Sequence, residues 1–203
     1  MDSLVYISGL SELEAVMGDD EKLITDIVDA ARQLHPRFIA LAGTPIPMIT
    51  GCDLPAIARE VEGRTKIPSF AVPSNGIGTY VAGAGQALRL YAERFITSRP
   101  EKRKNAVNIL GATPLDFSVN GCVQSMARRL EEAGFTLQSV FAMSSSIDAI
   151  DKAGAAEANL VVSSVGLPAA QYLQAQFGTP YVIGAPFGDF FSPYVFDALR
   201  ESI

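Results

Sequence analysis

Apolar residues along the chain fall into two alternating patterns, short continuous runs and stripes with helical spacing. Stripes in which apolar residues recur every three or four positions predict amphipathic helices. Runs this short and this apolar are typical of buried strands in parallel sheets. The runs lie at 38–42, 67–72, 106–110, 137–141, 160–162 and 181–183. Because runs and stripes alternate from end to end, the sequence predicts an α/β fold of parallel sheets with helices on both faces.

Capping residues set the predicted ends of the first helices. The S-x-x-E pattern at 11–14 predicts a short turn. Asp19 precedes an apolar stripe and can cap a helix, which the proline after His35 ends. Asp53 can cap the next helix, for which Gly63 is the expected end.

The chain divides best at 99–105, where its composition turns polar and charged. We therefore expect a first Rossmann-like unit at 1–98, a linker at 99–105 and a second Rossmann-like unit at 106–203. A weak internal repeat supports two related units, because the Leu-Pro-Ala of 54–56 returns at 167–169 after a comparable strand and loop.

Charge and hydropathy exclude several function classes. The sixteen Lys and Arg residues are outnumbered by twenty-two Asp and Glu, for a net charge of -6, so we expect no nucleic-acid partner. No apolar stretch approaches the length of about 20 residues that a membrane helix needs, so no membrane partner is expected either. The N-terminus does not resemble a signal peptide, and two distant cysteines fit a reducing compartment. The predicted location is the cytoplasm.

The segment 43–53 is the first candidate for a ligand site. Its two prolines and two glycines predict a loop, and it follows a predicted strand at the edge where α/β proteins bind ligands. Thr44 offers a hydroxyl. Cys52 lies near a predicted helix N-terminus, a position that can lower the pKa of a thiol, although no histidine or second cysteine accompanies it.

Other familiar sites are missing or weak in this sequence. It contains no P-loop, no G-x-G-x-x-G after a strand and no G-x-S-x-G elbow. His35 is expected to serve a helix end rather than catalysis. Cys122 shares a helix face with apolar residues, so it is expected to be a small buried hydrophobe.

Several stretches, in order along the chain, resemble the nitrogenase component 1 type oxidoreductases. This family includes the molybdenum-iron protein subunits, their cofactor-assembly scaffolds and the dark-operative tetrapyrrole reductases. Residues 16–23 are similar to a V-F-G-G-x-x-K-L signature, and 44–54 stand in place of a T-C-x-x-E-x-I-G-D-D-L pattern. The second unit adds similar stretches at 107–111, 129–134, 158–161 and 177–181.

The departures from the family pattern concern its cluster ligands. Pro45 stands where the family places a cluster-ligating Cys, Met48 replaces the Glu, and Cys52 replaces one Asp. Ser163, followed by Ser164, stands where the molybdenum-iron catalytic subunit has a Cys for its large cofactor. Proline has no side-chain donor for iron, so no metal ligand is assigned. Family members are much longer, so the chain is either a fragment or a shortened relative.

The resemblance implies a redox group, an iron–sulfur cluster or a tetrapyrrole, lying between the units at the strand ends. Thr44, Cys52, Ser163 and Ser164 would line it through hydroxyls and backbone N–H groups. The implied activity is multi-electron reduction or cofactor assembly. The implied partners are a homologous subunit or further copies of the chain, and an ATP-dependent iron–sulfur reductase.

Two other functions remain open. The first is a non-catalytic binding or assembly module that retains the fold and works through its subunit interface, which the loss of the Cys at Pro45 favours. The second is a two-lobe ligand binder of the periplasmic type, which shares the architecture but for which the sequence shows no secretion signal.

Overall fold

The computed structural model describes residues 4–7, 9, 19–49 and 51–203. The turn predicted at 11–14 lies outside these residues. The chain forms two compact units, Met1–Thr79 and Tyr80–Ile203. None of the helices in the described ranges combines the length and the apolar character that a membrane crossing needs.

The first unit is a two-stranded parallel sheet with helices. Its elements are α1 (Asp20–Leu34), β1 (Ile39–Ala42), α2 (Pro45–Ile49), α3 (Leu54–Thr65) and β2 (Ser69–Val72). Strands β1 and β2 pair in parallel, with Ile39 opposite Ser69. The predicted parallel pairing is confirmed, but the predicted burial is only partial, because each strand has a single neighbour and only Leu41 of β1 is buried.

The predicted caps explain where the helices of the first unit begin. The carboxylate of Asp19 accepts the Lys22 N–H at 2.9 Å, and Asp53 accepts the Ala56 N–H at 3.0 Å. Each carboxylate thus satisfies a backbone donor that the first turn leaves without a partner. The expected helix end at Gly63 is wrong. Helix α3 continues to Thr65, and Lys66 closes it in a left-handed conformation with φ 61°.

The segment predicted as a loop at 43–53 contains the short helix α2. Its prolines lie at the first and third positions of that helix, within the first turn, where a missing backbone N–H costs little. The proline content therefore does not exclude a helix here, and only the residues on either side of α2 are irregular.

The second unit is built on a four-stranded parallel sheet. Its elements are α4 (Tyr80–Phe95), β3 (Arg103–Leu110), α5 (Cys122–Glu132), β4 (Thr136–Val140), α6 (Ile147–Asp151), a 3-10 turn (Ala153–Ala155), β5 (Ala156–Val161), a second 3-10 turn (Ser164–Gly166), α7 (Leu167–Phe177), β6 (Tyr181–Ile183) and α8 (Gly188–Ser202). The strand order is β4-β3-β5-β6, and all neighbours are parallel. Strands β4 and β5 lie on opposite sides of β3, so the strand order reverses between β3 and β5.

Both faces of this sheet are covered, as the apolar strands predict. Val107 and Ile109 of β3 pack with apolar residues of α5 and α8, while Leu110 packs with those of α4 and α7. The α/β architecture with helices on both faces is thereby confirmed for the second unit.

A buried polar row crosses three strands of the second sheet. Asn108 of β3 lies opposite Ser139 of β4 and Asn159 of β5, and none of the three is accessible to solvent. Ser139 Oγ donates to Asn108 Oδ1 at 2.7 Å, and Asn108 Nδ2 donates to Asn159 Oδ1 at 2.8 Å. Buried polar groups that satisfy one another in this way fix the relative register of the strands.

Helix α4 packs within the second unit. Gly85 allows this contact, since a Cβ there would lie 3.1 Å from Cγ of Pro168 on α7. The division between the units falls after Thr79, whereas the sequence predicts a linker at 99–105. Within that linker Lys102 Nζ donates to the carbonyl of Ala156 at 2.7 Å. The limits of 1–98 and 106–203 as folding domains remain a prediction.

Candidate ligand site at the strand ends

Ser163 lies at the carboxyl end of β5, at the point where the strand order reverses. Its backbone is extended, with φ −150°, and it precedes the 3-10 turn that leads into α7. The hydroxyl donates to the carbonyl of Gly111, just after β3, at 2.7 Å. Ser163 is half-buried, whereas Ser164 is exposed. The side chain of Ser163 therefore joins the two strand-end segments that flank the expected ligand position of an open α/β sheet.

Two glycines bring these segments into direct backbone contact. A Cβ on Gly166 would lie 2.5 Å from the carbonyl oxygen of Leu110, closer than real side chains approach. Gly111 has φ +90°, a conformation that favours glycine, and a Cβ there would lie 2.8 Å from the Gly166 nitrogen. The backbones pack against each other, so a ligand at this edge would lie above the loops rather than between them.

A second polar cluster adjoins Ser163 through the same carbonyl. The N–H of Thr113 also donates to the Gly111 oxygen, at 3.0 Å. The Thr113 hydroxyl is hydrogen-bonded to the phenol of Tyr80, and both hydroxyl oxygens lie 3.3 Å from Oδ2 of Asp116. Ser163, Thr113, Tyr80 and Asp116 thus form one connected set at the carboxyl end of β3.

The sequence predictions do not include Tyr80, Thr113 or Asp116. A signal for two of them exists, since Thr-Pro-x-Asp directly follows an apolar run, and polar residues after a strand mark the ligand edge of a parallel sheet. Tyr80 has no such local signal. It reaches the cluster from α4, which precedes β3 in the chain.

Thr44 and Cys52 flank α2 in the first unit. Thr44 is exposed, and Cys52 is half-buried. The backbone N–H of Cys52 donates to the carbonyl of Pro47 at 2.9 Å. Nearby, the Ser74 hydroxyl donates to the carbonyl of Gly43 at 3.0 Å and joins the two strand ends of this unit.

The environment of Cys52 opposes the thiolate. Burial, followed by the negative charges of Asp20 and Asp53, raises the pKa of its thiol to about 11. The Sγ–H group points to Asp20 Oδ1 at 3.6 Å. The expectation that the helix N-terminus lowers this pKa is therefore wrong, because the carboxylates at the start of α1 and α3 lie close to the thiol and outweigh the dipole.

The structure groups the predicted residues in pairs. Ser163 and Ser164 are adjacent at the end of β5, and Thr44 and Cys52 lie on either side of α2. A single site that all four residues line remains a prediction.

The donor atoms of the described residues do not fit a thiolate-bound cluster. No group of three or more His, Cys, Asp or Glu side chains is arranged to hold a metal ion in the parts of the chain that the structure describes. Cys52 holds its proton, and Cys122 begins α5 and packs partly buried against the core of the second unit, as predicted. Pro45 begins α2 and offers no donor. The chemistry available is hydrogen bonding by hydroxyls and backbone N–H groups.

Comparisons with known proteins relate the chain to one family. The family model described as nitrogenase component 1 type oxidoreductase matches residues 2–192. The nitrogenase iron-molybdenum cofactor biosynthesis protein NifE of Methanosarcina barkeri is 28% identical over 90% of the chain and 42% of its own length. A subunit of the light-independent protochlorophyllide reductase of Nostoc punctiforme is 26% identical over 84% of the chain and 36% of its own length.

Solved structures share the fold. A structure of nitrogenase Cp1 at pH 5 matches with a TM-score of 0.77 at 22% identity, over 96% of the chain and 42% of that structure's chain. The chain thus spans less than half the length of the curated relatives it matches.

Proposed function

Because the chain belongs to the nitrogenase component 1 type oxidoreductase family, we propose that it works in multi-electron reduction or cofactor assembly. In this proposal the strand-end segments hold the redox group by hydrogen bonds, and no thiolate of the described residues ligates it. Thr44, Cys52, Ser163 and Ser164 line the site. A cytoplasmic location is part of the proposal.

The single observation that carries the proposal is the position of Ser163. It stands where the order of the parallel strands reverses, the place at which open α/β sheets bind their ligands. Its hydroxyl and the Thr113 N–H both donate to the Gly111 carbonyl, so the edge is ordered before any ligand arrives. Preformed polar edges of this kind reduce the entropy cost of binding.

The proposed partners follow from the names of the relatives. Family members function as subunits of multi-subunit complexes, as the name of the protochlorophyllide reductase relative states. We propose a homologous subunit or a second copy of the chain as the structural partner, and an ATP-dependent iron–sulfur reductase as the electron donor.

Iron binding tests whether thiolates are used. The chain would be incubated anaerobically with ferrous iron and sulfide, desalted, and assayed for iron and visible absorbance. We expect well under one iron per chain, because Cys52 is protonated and no second thiol accompanies it. Iron retained in stoichiometric amounts would show that the chain ligates a cluster, and this part of the proposal would be wrong.

A tetrapyrrole tests the hydrogen-bonded site directly. Protochlorophyllide would be titrated into the chain and followed by its fluorescence, with Ser163→Ala as the test variant and Ser98→Ala, an exposed serine of the same unit, as the control. We expect saturable binding that weakens several-fold in Ser163→Ala and is unchanged in the control. Equal binding by both variants would remove Ser163 from the site.

The second candidate function is a non-catalytic binding or assembly module. Pro45 and the raised pKa of Cys52 favour it, since neither residue can serve an iron site at neutral pH. This function predicts that neither iron nor protochlorophyllide is retained, while a complex with a homologous subunit still forms. Retention of either probe would exclude it.

A further inference from the structure

The first half of α8 carries an exposed aromatic face. Phe187, which precedes the helix, is 51% exposed, and Phe190, Phe191 and Tyr194 are 64–71% exposed. The rings contact one another, with centroids 5.2 Å apart for Phe190 and Phe191 and 5.9 Å apart for Phe190 and Tyr194. We call these four residues the aromatic face.

The same helix buries its opposite side normally. Ser192 and Leu199 are almost fully buried, and Asp197, Arg200 and Glu201 make the outer side of the second half polar. Large aromatic rings therefore replace the expected polar residues only along the first half. Packing within the second unit does not explain them.

The area of the aromatic face is large for a monomer surface. At roughly 200 Å² per aromatic side chain, the exposed fractions leave about 500 Å² of ring surface in solvent. Contiguous apolar patches of this size mark interaction sites in soluble proteins. The area also exceeds half of the ~800 Å² that each partner contributes to a standard interface.

The charges at the border of the face favour a second copy of the chain as the occupant. The charged groups beside the rings are Asp189 and Arg129, which form an ion pair at 2.7 Å. Two copies with a net charge of -6 repel each other over most surfaces, but this face brings no net like charge together. Flat rings can also pack against their own copies across a two-fold axis.

The face continues toward the candidate ligand site. The Phe187 ring lies 6.3 Å, centroid to centroid, from that of Phe117, which follows Thr113 and Asp116 in the segment after β3. A partner on the aromatic face would therefore border the polar cluster at the strand ends. No such cover is supplied by the described residues of the second unit, since Asp116 and the rings remain exposed.

We propose that the aromatic face of α8 is the interface of a symmetric dimer of this chain, and that the second copy completes the rim of the strand-end site. This inference does not require that a redox group binds. Dimer formation and probe binding are measured separately, so each can fail without the other.

The mass in solution tests the dimer. Sedimentation velocity and light scattering from low to high micromolar concentration should give twice the 21.6 kDa monomer mass. The double variant Phe190→Glu with Phe191→Glu should dissociate at least 30-fold more readily, since a central aromatic ring contributes about that factor or more. Ile77→Glu, an equally exposed apolar residue of the first unit, should dimerise normally.

Two further measurements keep the test decisive. If the double variant does not fold by circular dichroism, hydrogen exchange of the unmodified chain replaces it, and protection of 187–194 should rise with protein concentration. A monomer at all concentrations, or a double variant that dimerises as well as the parent, would overturn the proposal. Binding to neutral or anionic lipid vesicles without dimer formation would also overturn it and assign the face to a membrane surface.

Discussion

The strand ends of the two units are built differently, although the sequence predicts the same ligand-binding role for both. In the second unit, Gly111 and Gly166 press two backbones together and Ser163 ties them by a hydrogen bond. In the first unit, the short helix α2 follows β1, and one serine hydrogen bond joins the strand ends. The second edge is fixed by close packing, and the first is held by fewer constraints. A rigid edge suits ligand orientation, which places the stronger candidate site in the second unit.

The two edges also differ in the chemistry they offer. Acidic caps surround Cys52 in the first unit and keep its thiol protonated. In the second unit, one carbonyl collects a hydroxyl and an N–H, and a tyrosine, a threonine and an aspartate follow. The first edge is a poor metal site because of its own capping residues. The second is a hydrogen-bonding site.

The largest expected effect is that of Gly166→Ala. The added Cβ would lie 2.5 Å from backbone atoms of Leu110, so the segments after β3 and β5 must separate. We expect a loss of about 3 kcal/mol in the free energy of unfolding, as for other overpacked sites. Urea unfolding followed by circular dichroism measures it.

Gly83→Ala is the matched control in the same unit. Gly83 lies inside α4, and a Cβ there would meet nothing within 4 Å. Alanine should therefore raise the stability by about 0.5–1 kcal/mol through helix propensity. If both variants lost the same stability, the close packing of the strand ends would not be the cause.

The next effect tests the polar row under the same edge. Asn108→Ala removes the partner of both Ser139 and Asn159 in a region without solvent. We expect a loss of about 2 kcal/mol, since buried groups without hydrogen bonds carry their full desolvation cost. The control is Asn120→Ala, at an exposed loop position. An unchanged midpoint of unfolding for Asn108→Ala would mean that the row contributes nothing to the stability of this sheet.

A third test concerns the chemistry of the first edge. Asp20→Asn removes the charge nearest to Cys52 and should lower the pKa of the thiol, while burial, the largest cause of the shift, remains. We expect about a tenfold faster reaction with a disulfide reagent at pH 8, because the rate follows the thiolate fraction. Both proteins would carry Cys122→Ser so that Cys52 alone reacts.

The same shift fixes a dependence on pH. A thiol whose pKa is raised by folding stabilises the folded state below the pKa of the unfolded chain, and this contribution is lost as the pH rises toward 11. The chain should therefore lose more stability than Cys52→Ser between about pH 9 and 11. Parallel unfolding curves over this range would contradict the role assigned to Asp20.

Local signals predicted much of the fold. Asp19 and Asp53 lie in sequence beside the N–H groups they cap, and the alternation of apolar runs and stripes sets the strand and helix order. The helical character of α2 was missed because two prolines are typical of loops, yet both lie in the first turn, where proline is tolerated. Such an element depends on position within the turn, which composition does not give.

The candidate site was predictable only where its residues follow strands. Ser163 follows an apolar run, so its place at the edge could be inferred from the sequence. The low acidity of Cys52 could not, because Asp20 comes from another helix and the helix N-terminus alone points in the opposite direction. Tyr80 was missed for the same reason, since its contact with Thr113 depends on how α4 packs against the sheet.

The smallest expected effect decides how the ligand test is interpreted. Ser163→Ala removes one donor to Gly111, but the Thr113 N–H still satisfies that carbonyl. We therefore expect a loss of only ~1 kcal/mol or less in unfolding free energy. Ser74→Ala, which removes the corresponding hydrogen bond of the first unit, is the matched comparison. If Ser163→Ala lost several kcal/mol, weakened binding by that variant would report damage to the edge. A small loss leaves binding as a measure of the hydroxyl itself.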